Sequence, residues 1–190
     1  MSATEFLAFE RAADTRHELV NGVVYAMAGG SAMHALIAAN VAVELGLRLR
    51  GKGCQPFSGD LRIKIEETGM FTYPDLSIVC GALEFATADD GRDTVTNPTL
   101  LVEVLSPSTE GYDRGEKFAH YRRIPSLKAF LLVDQFRPRL ELFIRVGDGF
   151  WRLSTADGLD NTLEIEPLSL SLPLAEVYRG VTFATPPPRH

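Results

Sequence analysis

Apolar and polar positions follow one another along this chain in three rhythms, and each rhythm predicts a different element. Residues 31–50, SAMHALIAANVAVELGLRLR, carry apolar side chains at helical spacing with polar ones opposite, and Gly51 and Gly53 follow as stop signals. That pattern predicts a long amphipathic helix packed on a sheet. Residues 60–66, DLRIKIE, alternate strictly, as a half-buried strand does. Residues 99–105 (TLLVEVL) and 129–133 (AFLLV) are nearly unbroken apolar runs, which belong to strands covered on both faces.

Local signals fill the intervals. Ser2 with Glu5 makes a capping box that opens a short helix to about residue 13. Asn21-Gly22, between HELV and VVYAM, marks a hairpin. Thr68-Gly69 turns the chain into a second strand over 72–80, and Pro107 with its Ser, Thr and Gly neighbours stops the strand 99–105. Asp113, with Glu116 at the third position, is predicted to cap a helix that runs to about residue 123 and ends at Ile124-Pro125. Residues 139–146 and 150–154 pair antiparallel across 147–149, and two weaker strand pieces follow. The strand 99–105, the helix and the strand 129–133 form a crossover unit, so those strands are expected to be parallel neighbours. The expectation is an α/β fold with a mixed central sheet flanked by helices. One domain is expected over residues 1–183, with 184–190, ending in PPPRH, expected to be a disordered tail.

Composition narrows the setting. With 45% apolar and 23% charged residues among 190, the chain has the make-up of a globular domain with a sizeable core. No run approaches 18 apolar residues, and the acidic start MSATEFLAFERAAD lacks a signal-peptide pattern, so neither a membrane span nor secretion is expected. Cys54 and Cys80 form no CxxC or Cys/His cluster, which suggests neither a zinc site nor a disulfide framework. A reducing cytoplasm fits best. The net charge of -6 argues against a general nucleic-acid binder. Between Glu110 and Arg145, however, eight basic residues meet five acids, a local +3 that could face a phosphate backbone or be a solvated mixed surface.

Two carboxylates interrupt apolar strands: Asp75 in YPDLSIV and Glu103 in LLVEVLS. An ionised acid in a sheet interior is strongly disfavoured unless a partner or a metal compensates. Two such acids brought together would repel, and hard oxygen donors at a dry site suit Mg²⁺ or Mn²⁺. The competing reading for Glu103 is a buried ion pair with a lysine or arginine. A lysine two positions after Glu103 would share its face, but Leu105 stands there. Lys117, bordering the apolar face of the following helix, could extend to the carboxylates. Lys64 is its rival, since a hairpin turning near Gly69 would set it roughly opposite Asp75.

Pro74-Asp75, EVLSPST from Glu103 and DRGEKFAHYRR from Asp113 together resemble the Uma-type restriction endonuclease family, a branch of the PD-(D/E)XK nuclease superfamily. The resemblance runs from RHELVNGVVYAMAGG through SGDLRIKI to LPLAEVYRGV. It implies an αβββαβ core with the acids on the second and third strands, followed here by a C-terminal antiparallel extension. It also implies a strand lysine relocated to the helix, the part Lys117 would play. The implied activity is Mg²⁺-dependent hydrolysis of DNA, with Mn²⁺ as a substitute. Asp75, Glu103 and the Val104 carbonyl would hold the metal, Glu18 would be a possible additional ligand, and the chain would work as a homodimer. Asp60 and His34 fall in family-like stretches; Asp60 is expected no closer than outside the ligand shell, and His34 at the surface or as a helix cap. Specificity would come from the loops 81–97 and 106–112. The alternative is a catalytically inactive nuclease fold that serves as a nucleic-acid-binding or interaction module.

Overall fold

Strands that are apolar on both faces must be covered on both faces, and that requirement organises the molecule. The computed structural model describes residues 1–27, 29–87, 92–147 and 149–183. The predicted tail 184–190, the centre of the turn 147–149 and part of the loop 81–97 lie outside them.

The element order is α1 (Ala3–Ala12), β1 (His17–Val20), β2 (Val23–Ala26), α2 (Ala32–Arg48), β3 (Cys54–Ser58), β4 (Arg62–Ile65), β5 (Met70–Thr72), β6 (Leu76–Cys80), β7 (Thr94–Val95) and β8 (Leu100–Leu105). A composite helix follows: α3 (Glu110–Tyr112), a π-helical turn (Asp113–Lys117) and α4 (Phe118–Tyr121). Then come β9 (Ala129–Asp134), β10 (Arg139–Gly147), β11 (Phe150–Asp157), β12 (Thr162–Ile165), β13 (Leu170–Pro173) and α5 (Leu174–Val177).

The larger sheet has the order β11-β10-β9-β8-β6-β3, and the smaller β2-β1-β5-β4-β7. In the larger one β8 and β9 are parallel, as expected for the crossover, while β3, β6 and β8 are successively antiparallel. The succession α2, β3, β6, β8, composite helix, β9 is therefore an αβββαβ core. The hairpin β10–β11 is its C-terminal antiparallel extension.

Alternation along β8 splits the core. Leu100, Val102 and Val104 pack with Ile37, Val41 and Leu45 of α2 and with β12, β13 and α5. Leu101 and Leu105 face the other way, toward Tyr121, Phe130 and the small-sheet residues Ile63, Ile65 and Met70. Phe6 and Leu7 of α1 close the smaller sheet against Leu19 and Phe71. The capping box of α1 is present, and Asn21 and Gly22 adopt the positive φ angles, 51° and 79°, that a tight hairpin turn requires.

Four expectations need correction. The strand predicted over 72–80 is two strands in different sheets, because Tyr73, Pro74 and Asp75 carry the chain from one to the other. The alternating stretch 60–66 is not half-exposed: all of β4 is buried. Arg62 there donates to Thr94 (2.8 Å), Tyr73 (2.9 Å) and Asp93, while Lys64 lies over Phe71 and pairs with Glu66 at 2.6 Å. The first strand of the core is β3, whose Gln55, Pro56 and Ser58 hide any alternation; Pro56 is tolerated because β3 is an edge strand. Finally, Cys54 and Cys80 are register partners on β3 and β6 and form a disulfide, a pairing that their 26-residue separation concealed.

Asn40 fastens the long helix to the chain's end. Its buried amide donates to the carbonyls of Val177 (3.0 Å) and Arg179 (2.9 Å), which the short α5 leaves without helical partners. Asn40→Ala is expected to lower unfolding stability by about 1–3 kcal/mol, since a buried and a part-buried acceptor lose their donor. Urea denaturation checks this, and an unchanged midpoint would show that the amide contributes nothing.

Candidate active site

The β6–β8 register is the starting point. Leu76 pairs with Val102, so the next position outward sets Asp75 across from Glu103. Pro74 ends the preceding segment and leaves Asp75 at the mouth of the sheet, whereas Glu103 lies within β8, 4% exposed. Both line a cleft of about 840 Å³ together with Glu18, His34, Asp113 and Lys117. Its walls are the segment after β2, the turn at Gly59 and the loop 106–109 after β8.

Lys117 stands at the centre. Its Nζ is 2.9 Å from Glu103, 3.1 Å from Glu18 and 3.6 Å from Asp113, and it is 5% exposed. Helical spacing makes this possible. Asp113 and Lys117 stand four positions apart in the π-helical turn, so both face inward, while Glu116 faces out. Asp113 is thus inside the helix, which starts earlier at Glu110, and is not its cap. Aromatic hydroxyls complete the cluster. Tyr121 donates to Glu103 at 2.6 Å, Tyr112 donates to Glu18 at 3.3 Å, and Thr72 also donates to Glu18.

Three carboxylates thus surround one ammonium, and the charges do not balance. Burial pushes the Glu103 carboxyl up to about 8 against the pull of Lys117, and the nearby charges of Asp75 and Asp113 push the same way. Burial likewise raises Asp113. Burial works against the charge on Lys117, but Glu103, Glu18 and Asp113 outweigh it and hold the ammonium well above its ordinary range. The neighbouring acids thus favour the charged form of Lys117, while burial favours the protonated form of Glu103.

Asp75 belongs to a second, adjoining group. Its Oδ2 accepts from the Val104 N–H at 2.7 Å and lies 3.2 Å from Nε2 of His34. That hydrogen bond to Asp75 raises the His34 pKa despite burial, and the Val104 carbonyl contributes in the same direction. His34 is neither a surface residue nor the cap of α2; Ser31 caps that helix.

Several predicted participants stand elsewhere. Lys64 pairs in register with Phe71 in the smaller sheet and does not line the cleft. Asp60 is bound by Arg16 and Ser58. The basic residues of 110–145 are largely committed within the protein. Arg114 and Arg139 converge on Glu141, Arg137 pairs with Asp134, Arg123 pairs with Glu67, and Arg145 donates to three main-chain carbonyls. Sequence reasoning missed Tyr112, Tyr121 and Thr72 and read Asp113 as a helix cap and His34 as a surface or capping residue, whereas both stand in the site. Gly30 before the helix was the available signal for His34. A Cβ there would stand 2.7 Å from its ring, so a glycine marks a close approach.

Among the described residues no three His, Cys, Asp or Glu side chains converge as a ready metal cage, because Glu103 is turned to Lys117 and Tyr121. The donor set nonetheless suits a divalent cation. Carboxylates exceed fixed cations, and Asp75 and Glu103 sit at opposed positions beside a main-chain carbonyl.

Comparison with known proteins agrees with this architecture. The Uma2 family model, described as "Putative restriction endonuclease", matches residues 3–175. Two proteins of Synechocystis sp. are similar over most of their length. Uncharacterized protein slr1290 is 36% identical over 188 residues, covering 96% of this chain and 94% of the relative. Uncharacterized protein sll1609 is 35% identical over 164 residues, covering 86% and 92%. The crystal structure of a "putative nuclease belonging to DUF820" from Anabaena variabilis superposes with a TM-score of 0.75 at 14% identity, covering 94% of this chain and 97% of that one. At that identity the match establishes the fold alone.

The buried acid has a measurable signature. An acid whose folded pKa lies above its unfolded value binds a proton more readily when folded, so it stabilises less as pH rises between the two values. For Glu103 that window runs from 4.5 to about 8. In metal-free buffer the parent is expected to lose on the order of 2–4 kcal/mol relative to Glu103→Gln across it. Denaturation at stepped pH tests this; parallel profiles would mean that Glu103 titrates normally.

Proposed function

This chain belongs to the Uma2 family, and from that premise we propose that it is a metal-dependent endonuclease that hydrolyses phosphodiester bonds in DNA. The observation that carries this reading is the surplus of carboxylates over fixed cations in one cleft, around an ammonium held 2.9 Å from Glu103 and 3.1 Å from Glu18. Asp75, Glu103 and the Val104 carbonyl are the groups that would hold Mg²⁺, with Mn²⁺ as a substitute. A cation bound there supplies a water of lowered pKa and neutralises charge on the phosphate.

The chain's own groups have separable tasks. Lys117 presents fixed positive charge to a phosphate oxygen and needs no reorganisation as negative charge develops. Glu18 and Asp113 hold its ammonium in place, so Glu18 serves here as an anchor for Lys117 and as a reserve ligand. Tyr121 orients the Glu103 carboxylate. The Val104 N–H fixes Oδ2 of Asp75 and so holds the carboxylate in place at the cleft. Specificity would come from the loops 81–97 and 106–112, of which residues 106–109 line the cleft. Cutting both strands of a duplex with one centre per chain calls for two copies, so the homodimer goes with this reading.

A non-catalytic binding module is the second reading. One observation favours it: the basic residues of 110–145 are largely paired within the protein, leaving little free positive charge to attract DNA.

Calorimetric titration with Mg²⁺ and Mn²⁺ separates the two. The parent is expected to bind, and Asp75→Asn and Glu103→Gln to bind at least about tenfold more weakly. Absence of binding by the folded parent, with and without duplex, would sink the nuclease reading. Lys117→Met is expected to keep cation binding but lower DNA cleavage by a factor of about 10² or more. Cleavage that survives in this variant would remove Lys117 from the chemistry.

A further inference from the structure

We infer that His34 is a nitrogen ligand of the cation site and that the site therefore takes Mn²⁺ in preference to Mg²⁺. The inference rests on the metal-dependent reading above and deepens it.

The argument begins with how the imidazole is held. Ser31 caps α2 by accepting from the His34 N–H at 3.1 Å, and the same hydroxyl donates to Gln135 at 3.0 Å, just beyond β9. The first turn of the helix is thus tied to the sheet that carries Glu103. Gly30 covers one edge of the ring. A Cβ at that position would stand 2.7 Å from Nδ1 and 2.9 Å from Cγ, a separation real side chains do not show. The covered edge belongs to Nδ1, so Nε2 is the nitrogen that faces the cleft. There it meets Oδ2 of Asp75 at 3.2 Å, with the Val104 carbonyl beside it.

That spacing is what two neighbouring ligands need. Donors about 2.1 Å from a six-coordinate cation, at right angles to one another, stand about 3 Å apart. Asp75 and His34 keep nearly this separation through a hydrogen bond, so a cation could replace the shared proton with little movement of either side chain. Asp75, His34 and Val104 come from three separate segments of the fold and line the same cleft. An imidazole donor changes the choice of ion. Mg²⁺ favours oxygen ligands and its own water, whereas nitrogen ligands favour the later divalent ions, Mn²⁺ ahead of Mg²⁺. A helix residue that only held Asp75 in place would give no such preference.

The test uses metal-free full-length protein and Mn²⁺ itself as the probe. Pulsed electron paramagnetic resonance of the bound ion detects a directly coordinated nitrogen. Selective ¹⁵N labelling of histidine then identifies that nitrogen as imidazole. The parent is expected to show this coupling and His34→Ala to lose it. Calorimetry is expected to show Mn²⁺ affinity falling about tenfold or more in His34→Ala, with Mg²⁺ affinity changed less than about threefold. Gly30→Ala, which alters no polar group, is expected to weaken Mn²⁺ binding in between by displacing the ring. Because the coupling is read on the parent, the result does not depend on whether a variant folds. Mn²⁺ bound without nitrogen coupling would overturn the inference and leave the metal-dependent reading standing. No binding of either ion, with or without duplex DNA, would overturn both.

Discussion

The Lys117 ammonium, 2.9 Å from Glu103, 3.1 Å from Glu18 and 3.6 Å from Asp113, is the contact through which both sheets and the composite helix meet at the cleft. Glu18 comes from β1 of the smaller sheet, Glu103 from the centre of the larger, and Asp113 and Lys117 from the π-helical turn between β8 and β9. A group of buried charges like this contributes little net stability, because each ion gives up its hydration to take part. What it contributes is position. An apolar plug could fill the same volume, but it would tie these elements together without leaving oriented charge at the floor of a cleft.

Around that contact the protein separates two electrostatic tasks. Tyr121, Tyr112 and Thr72 satisfy carboxylate oxygens with neutral donors, which hold geometry without cancelling charge. The arginines between residues 110 and 145 act mainly at a distance from the cleft. Arg114 and Arg139 clasp Glu141, and Arg145 gathers the carbonyls that end the composite helix and the loop after it. The cleft is consequently richer in negative than positive charge. In a protein proposed to approach a polyanion, that imbalance makes a divalent cation the natural bridge between carboxylates and phosphate.

The same division explains the placement of the helix α2. Its apolar face fills one side of the larger sheet, while its first turn, capped by Ser31 and overlain by Gly30, delivers an imidazole to Asp75. A rigid scaffold with functional groups at its ends is a sound way to hold a site, because packing fixes the helix along its length and leaves only the terminal side chain to be oriented.

How much of this the linear sequence determined follows from which forces are local. Periodicity marked α2, and unbroken apolar runs marked β8 and β9 and their parallel pairing, because burial on one or both faces is written into spacing. The capping box of α1 and the Asn21-Gly22 turn were equally legible, since each depends on residues three or fewer positions apart. Asp75 and Glu103 stood out because charge inside an apolar run is conspicuous without knowing its partner. The tertiary structure alone decided the partners. That β4 is buried on both faces, that Cys54 meets Cys80, that Lys117 and not Lys64 reaches the acids, and that His34 meets Asp75 are all outcomes of sheet register and of how the helices pack on the sheets. Each depends on residues remote in the chain. No local spacing encodes such contacts, because their energies exist only once the two sheets have closed on one another.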